Sequence, residues 1–383
     1  MPYWRLSAFY FFYFAVLGVL VPYWGLYLKD LGFGPGYIGI LMAIPLATKI
    51  VAPNIWGWLA DTVSRGRSLL PLASALALVI FSTLFLADSF LWLAVGMVGF
   101  SFFWNATLPS MEAITLNFLG DRWHRYGVVR LWGSVGFIVL VVIMGWVVDG
   151  YGAATVLPAI TLLLAGMWLS VVSVPTSGAA DPGRKVPAGV GHPALQPHVA
   201  AFLLCCMLMQ AAHAPFYVFF TLYLEHYGYN KSLIGGLWAL GVLAEIVVFV
   251  FMHRLFGAFR IAVLLQASFA VTVVRWLLVA AFPEFLSVIV FSQLLHAVTF
   301  GVYHAAAIQL VHRLFTASHQ HRGQALYSSV SFGVGGSLGS LYSGYLWEQA
   351  GPASIFLAAA AAASISALVT WFYVRPAVRA VEG

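Results

Sequence analysis

The chain has 383 residues, of which 62% are hydrophobic and only 8% charged, with a formal net charge of +6 and a mean hydropathy of +0.94. That much apolar surface excludes a water-soluble globule and requires lipid as the solvent. The basic excess calls for no nucleic-acid partner, because a basic rim on one membrane face is what orientation in a bilayer demands.

A spanning helix needs ~20 largely apolar residues, since one segment must satisfy its own backbone hydrogen bonds in hydrocarbon. Polar and Gly/Pro-rich breaks predict twelve such spans, at 4–28, 36–60, 68–87, 90–118, 126–148, 153–174, 198–224, 231–253, 260–281, 285–311, 324–347 and 352–374. The first run begins almost at Met1, is too long for a cleavable signal and has no small-residue cleavage site after it, so it reads as the first span. Charges inside the spans are costly, which makes Lys49, Glu112, Arg130, Glu245 and Arg275 the first candidates for function.

In the second span Lys49 is too far from either end to snorkel. It reads as a cavity-facing cation that attracts an anionic substrate or pairs with a carboxylate such as Glu112. The following turn, Gly57-Trp58-Leu59-Ala60-Asp61-Thr62-Val63-Ser64-Arg65-Gly66-Arg67, places Asp61 at a membrane-edge helix end. A carboxylate there can accept a charge-assisted bond from an Arg or from a neighbouring helix N-terminus, locking two helices in one state and releasing them in another. Gly57, Asp61, Arg65 and Arg67 form this candidate gating loop.

Span four carries Asn105 near its midpoint, beside Trp104, and Glu112 nearer the end; span five carries Arg130 at similar depth. Consecutive antiparallel helices then permit a Glu112–Arg130 ion pair, and an unpaired partner would be expensive unless it met water. Arg130 could instead grip a substrate carboxylate bidentately.

The stretch from Pro175 to Pro197 holds five prolines and four glycines without an aromatic, and predicts a flexible cytoplasmic linker. It separates a six-span bundle, residues 1–174, from a second, residues 198–383. Two such halves point to parallel repeats with a substrate site between them near the bilayer midplane.

In the second half Gln210 and His213 lie in span seven, Glu245 in span eight, Arg275 in span nine, and Gln293, His296 and His304 in span ten. A carboxyl that takes up a proton and releases it on one side is what proton coupling requires, and Glu245 fits that role with Arg275 and His296 tuning it. Imidazoles suit a relay or a substrate hydrogen bond. The adjacent Cys205 and Cys206 read as buried apolar filler. His312, His319 and His321 sit beside Arg313 and Arg322 with no Cys or carboxylate, which reads as a solvated loop rather than a metal site. Span eleven is rich in glycine (Gly333, Gly335, Gly336, Gly339 and Gly344), for close helix packing or for flexing at a gate. Most aromatics belong to lipid-facing or belt positions, while Tyr23, Trp24, Trp104, Trp132, Phe216 and Tyr217 could stack on a planar ligand.

With a cytoplasmic N-terminus, 13 Lys and Arg residues fall on the cytoplasmic side and only Lys29 and Lys231 on the outer side. Both termini are therefore expected in the cytoplasm, and the chain in the inner membrane as a multi-pass protein.

The 57–67 turn resembles the G-x-L-A-D-x-x-G-R-[KR] loop of the major facilitator superfamily, with Ser64 and Arg65 shifted against the usual Gly-Arg pair. Within that superfamily, Val129-Arg130-Leu131-Trp132-Gly133-Ser134-Val135-Gly136-Phe137 resembles the span-five signature of the 3-phenylpropionate permease group. So do Gln210 to Ala214, Leu237 to Glu245, Gln293 to Phe300 and Ala325 to Ser329. The group is similar to sugar and nucleoside proton symporters. The layout also resembles that of the lactose permeases, where a Glu on helix four and an Arg on helix five bind sugar. There a Glu on helix eight, an Arg on helix nine and a His on helix ten serve binding and coupling. Glu112, Arg130, Glu245, Arg275 and His296 occupy those places, but the coupling carboxylate one turn after the helix-ten His is replaced by Thr299.

The expectation is an all-α, twelve-helix secondary transporter of the major facilitator fold, working by alternating access as a monomer and importing a small organic solute with protons. Lys49, Arg130 and His213 together with the aromatics favour an aromatic carboxylate such as 3-phenylpropionate. A sugar or nucleoside proton symporter and a proton-driven exporter are the alternatives. No enzyme is expected, since no nucleophile–base pair or metal set lies near an interface, and no cofactor is implied.

Overall fold

The computed structural model describes residues 2–62, 69–87, 89–175, 196–315 and 320–376, and among them there are helices and no strands. Eleven helical stretches are long and apolar enough to cross a membrane. Seven of them are α1 (Tyr3–Asp30), α2 (Pro35–Thr62), α4 (Phe90–Leu119), α5 (Tyr126–Tyr151), α7 (Pro197–His226), α8 (Lys231–Ala258) and α9 (Ile261–Ala281). The others include α3 (Leu69–Ser82), α6 (Val156–Ser173) and α14 (Pro352–Val369), each extended by a short 3-10 or π turn. The eleventh joins α10 (Leu286–His296) to α11 (Tyr303–Leu314) through a π segment, Ala297–Val302.

The predicted eleventh span is helical too, running from α12 (Gln320–Ser328) through a π segment, Ser329–Gly335, into α13 (Gly336–Ala350). It falls outside the eleven because its serines and glycines dilute its apolar content. Those small residues serve packing: a Cβ on Gly339 would lie 2.7 Å from the Ala211 carbonyl oxygen, and one on Gly335 would collide with the Met207 carbonyl. Both neighbours belong to α7, so the absent side chains let two backbones meet.

The chain divides into two compact units, Met1–Lys185 with Tyr229–Gly236, and Val186–Gly228 with Leu237–Gly383. In the first, α1 packs along α5 at glycine contacts, with Gly136 against the Phe11 carbonyl and Gly18 placed so that a Cβ would lie 2.7 Å from Phe137 O. A polar knot ties α2 to α4. Asn105 donates to Pro45 O and to Thr48 Oγ1, each at 3.0 Å, and Thr48 donates to Ser101 Oγ at 2.9 Å.

The first residues of α8 pack with the first unit. The Asp149 carboxylate at the end of α5 accepts from the Lys231 and Ser232 backbone N–H groups, and a Cβ on Gly235 would lie 2.6 Å from both the Val141 carbonyl and the Tyr23 hydroxyl.

Candidate functional site

The second unit brings His213, Glu245 and His296 into the neighbourhood of Arg275. Its side chain is fully buried, a position in α9 that hydropathy alone would give to an apolar residue. Nη1 donates to His296 Nδ1 at 2.9 Å and to Thr299 Oγ1 at 2.9 Å. The guanidinium carbon lies 4.7 Å from the Phe216 ring centroid and 4.3 Å from the Trp276 ring. A desolvated cation over an aromatic face gains ~2 kcal/mol, which offsets part of the cost of burial. Nε and Nη2 are buried and have no partner, and no ion pair to Arg275 forms among the described residues.

The bond to His296 settles the proton on that ring. A guanidinium only donates, so His296 Nδ1 is the acceptor and the ring proton sits on Nε2. His213 is ordered the other way. Its Nδ1 lies 2.9 Å from the Met209 carbonyl, which only accepts, so Nδ1 carries a proton. Its Nε2 lies 3.4 Å from Thr299 Oγ1 and in the neutral ring accepts the threonine hydroxyl hydrogen.

Thr299 comes to this position on the π segment that follows His296, the kind of local widening that recurs at functional sites. His296, Phe300 and His304 stack through that segment, with centroids 5.5 and 5.8 Å apart. His304 ends the stack with its Nδ1 3.1 Å from the Tyr327 hydroxyl, so its polar contact lies away from Arg275.

Glu245 is half-buried on α8 beside the π segment, where a Cβ on Gly301 would lie 3.7 Å from its Cγ. One turn earlier, Gly241 brings α8 against span ten, since a Cβ there would lie 3.3 Å from Gln293 Oε1 and 3.5 Å from His296 Cδ2. Glu245 Oε1, Gln293 Oε1 and Gln210 Nε2 are buried without partners. Each such atom costs ~1–3 kcal/mol unless something satisfies it. Arg275 Nε and Nη2 are buried without partners in the same way, and beside Arg275 the rings of Phe216, Trp238, Tyr217 and Phe300 pack on one another.

The first unit holds the other candidates. Glu112 is half-buried and accepts from the Tyr126 hydroxyl at 2.9 Å. Arg130 is half-buried with its guanidinium carbon 3.8 Å from the Phe14 ring centroid. No ion pair joins the two among the described residues; the tyrosine and the phenylalanine take the places that each was expected to offer the other. Tyr126 lies four residues before Arg130 on the same face of α5, a spacing that could have flagged it. Asn105 belongs to the knot between α2 and α4, with its Oδ1 left over, and Lys49 follows Thr48 in that same turn of α2.

Of the gating loop, Gly57 has open space where a Cβ would go. The side chains of Asp61, Arg65 and Arg67 lie outside the described residues, as do His319, the His321 side chain and linker positions 176–195. Among the aromatics singled out, Phe216 and Tyr217 are at the Arg275 cluster. Trp104 is stacked on Tyr13 and Phe100, Trp132 donates to the Tyr3 hydroxyl at 2.9 Å, and Tyr23 donates to Val141 O at 2.6 Å.

Comparison with known proteins sets these clusters in a family. Residues 3–358 match the model of the MFS_1 like family. The chain is similar to the probable 3-phenylpropionic acid transporter of Escherichia coli (strain K12), 32% identical over 353 residues that cover 89% of this chain and 90% of that protein. It is similar to the maltose permease of Geobacillus stearothermophilus, 28% identical over 347 residues, 89% of this chain and 86% of that one. Among solved structures, the nucleoside transporter NupG superposes with a TM-score of 0.83 at 16% identity, over 100% of this chain and 99% of that one. The POT family transporter PepTSo gives 0.75 at 12% identity, over 98% and 97%. This chain belongs to the MFS_1 like family of the major facilitator superfamily, and is a multi-pass membrane transporter of small molecules rather than an enzyme.

Proposed function

We propose that the protein imports a small aromatic carboxylate, such as 3-phenylpropionate, together with protons across the inner membrane. It works as a monomer by alternating access, with residues 1–174 and 198–383 as its two bundles and both termini in the cytoplasm. The observation that carries this reading is Arg275: a fully buried cation beside aromatic rings, with no carboxylate at ion-pair distance among the described residues and unsatisfied donors remaining. An anionic, flat substrate answers both the charge and the walls. The similarity to a probable 3-phenylpropionic acid transporter adds support.

Glu245 is the proposed proton carrier. It is the acidic side chain of the second unit set against the π segment that carries Thr299, and one of its oxygens is buried without a partner. Arg275 and His296 tune it. His296 accepts a second proton only by giving up its bond to Arg275, so protonation and arginine release are linked at that atom. Lys49, Asn105, Glu112, Arg130, Gln210, His213, Gln293 and His304 are the wider set proposed to meet substrate during the cycle, and the 57–67 loop is the proposed gate.

The test is uptake of labelled 3-phenylpropionate into proteoliposomes with and without an inside-alkaline gradient. Accumulation is expected only with the gradient, and Glu245→Gln should abolish it while leaving exchange of labelled for unlabelled substrate. No uptake, or accumulation indifferent to Glu245→Gln, overturns the coupling. A sugar or nucleoside substrate is the second reading, favoured by the Glu112–Tyr126 pair, whose carboxylate suits hydroxyl ligands. Competition of uptake by maltose or uridine would decide for it.

A further inference from the structure

We propose that the Nε/Nη2 edge of Arg275 is a carboxylate-binding fork, and that Thr299 is the positioning residue that keeps this edge free for ligand. The proposal deepens the aromatic-carboxylate reading and rests on it.

A guanidinium has five N–H donors in one plane. Both hydrogens of Nη1 are spent, one on His296 Nδ1 and one on Thr299 Oγ1, at 2.9 Å each. The three that remain belong to Nε and Nη2, and both atoms are buried and unanswered. Nε–H and the nearer Nη2–H run parallel and match the two oxygens of a carboxylate, the bidentate arrangement that distinguishes Arg from Lys. Phe216 and Trp276 have ring centroids 4.7 and 4.3 Å from the guanidinium carbon, so a carboxylate would have to meet the fork edge-on, beside these rings.

Thr299 determines which edge is free. Its oxygen takes one Nη1 hydrogen, and its own hydrogen serves His213 Nε2, while His213 is anchored through Nδ1 to the Met209 carbonyl. The hydroxyl thus links α9 to α7 through a directed chain that begins at Arg275 and ends on a backbone acceptor. Valine fills the same volume with no hydroxyl. It would leave one Nη1 hydrogen and His213 Nε2 unsatisfied, and the guanidinium would turn to share its remaining donors, so the fork would lose its fixed direction. Serine keeps the hydroxyl and the fork.

The test is equilibrium binding to the purified full-length protein, followed by isothermal calorimetry without any gradient. The probes are 3-phenylpropionate and its amide, 3-phenylpropanamide, which shares the ring and lacks the charge. The unsubstituted protein should prefer the acid by at least about tenfold, the order expected when a fork built for two oxygens loses one of them. Thr299→Val should weaken acid binding by about tenfold and leave amide binding within about twofold, while Thr299→Ser restores the acid. Arg275→Lys should erase the preference for the acid. A general packing defect would move both probes together, and equal weakening of acid and amide by Thr299→Val overturns the positioning role. Full acid affinity in Thr299→Val overturns it as well. Equal affinity of the unsubstituted protein for both probes overturns the fork, and failure of both to bind overturns the aromatic reading beneath it.

Discussion

The Asp149 carboxylate, at the end of α5, bridges the first two backbone N–H groups of α8, accepting from Lys231 at 2.8 Å and from Ser232 at 2.7 Å. A helix begins with N–H groups that have no partner within it, and a carboxylate there satisfies them and complements the positive end of the helix dipole. Asn230 assists, with its side-chain oxygen accepting from Leu233 N–H at 2.9 Å. Two helices distant in sequence are thereby joined by an end cap.

Removing that cap should be measurable. Asp149→Ala is expected to lower stability by ~1 kcal/mol, the usual worth of an N-terminal cap, and Asp149→Asn by less because one acceptor oxygen survives. The check is the thermal unfolding midpoint in detergent, ordered native, Asn, Ala; an unchanged midpoint for Ala would show the contact to be incidental.

At the crossing of α1 and α5, Gly136→Ala should be strongly destabilising, because the added methyl meets the Phe11 backbone, which cannot rotate away. Gly127→Ala, in the same helix but with open space around it, serves as the control and should be neutral or slightly stabilising. The measurement is yield of monodisperse protein together with its thermal midpoint.

Tyr126→Phe removes the hydroxyl that Glu112 accepts from and should cost ~1 kcal/mol of stability. With that donor gone, Glu112 is free to seek Arg130, whose guanidinium now lies over Phe14. Under the hydroxyl-substrate reading, Tyr126→Phe and Glu112→Gln should both impair transport. Under the aromatic-carboxylate reading, Glu112→Gln should raise the KM for 3-phenylpropionate less than Arg275→Lys does, since Arg275 is the group proposed to hold the acid.

His296→Gln keeps a side-chain acceptor for Arg275 Nη1 and removes the ring that can exchange a proton. Substrate binding should persist within about threefold, whereas the pH dependence of gradient-driven uptake should change shape. A pH profile identical to that of the native protein would remove His296 from the coupling group.

The spans were legible in the sequence because hydropathy belongs to each segment alone. Any stretch of ~20 apolar residues must become a helix in lipid whatever lies beside it. The superfamily was legible from the 57–67 turn and the motifs of spans five, eight and ten, and the charges at Glu245, Arg275 and Arg130 stood out by their cost. Pairing was not legible. Glu112 and Arg130 share a depth, but depth does not say how each helix is rotated, and rotation gave Glu112 to Tyr126 and Arg130 to Phe14. Thr299 looked like the loss of a coupling carboxylate, and only the π segment, which resets the register after His296, brought its hydroxyl onto Arg275. Composition and segment hydropathy thus determined that the chain is built of membrane-crossing helices and which costly residues they carry there. Tertiary structure decided who touches whom, because lateral contacts depend on helix azimuth, glycine crossings and local register, none of which a single segment encodes.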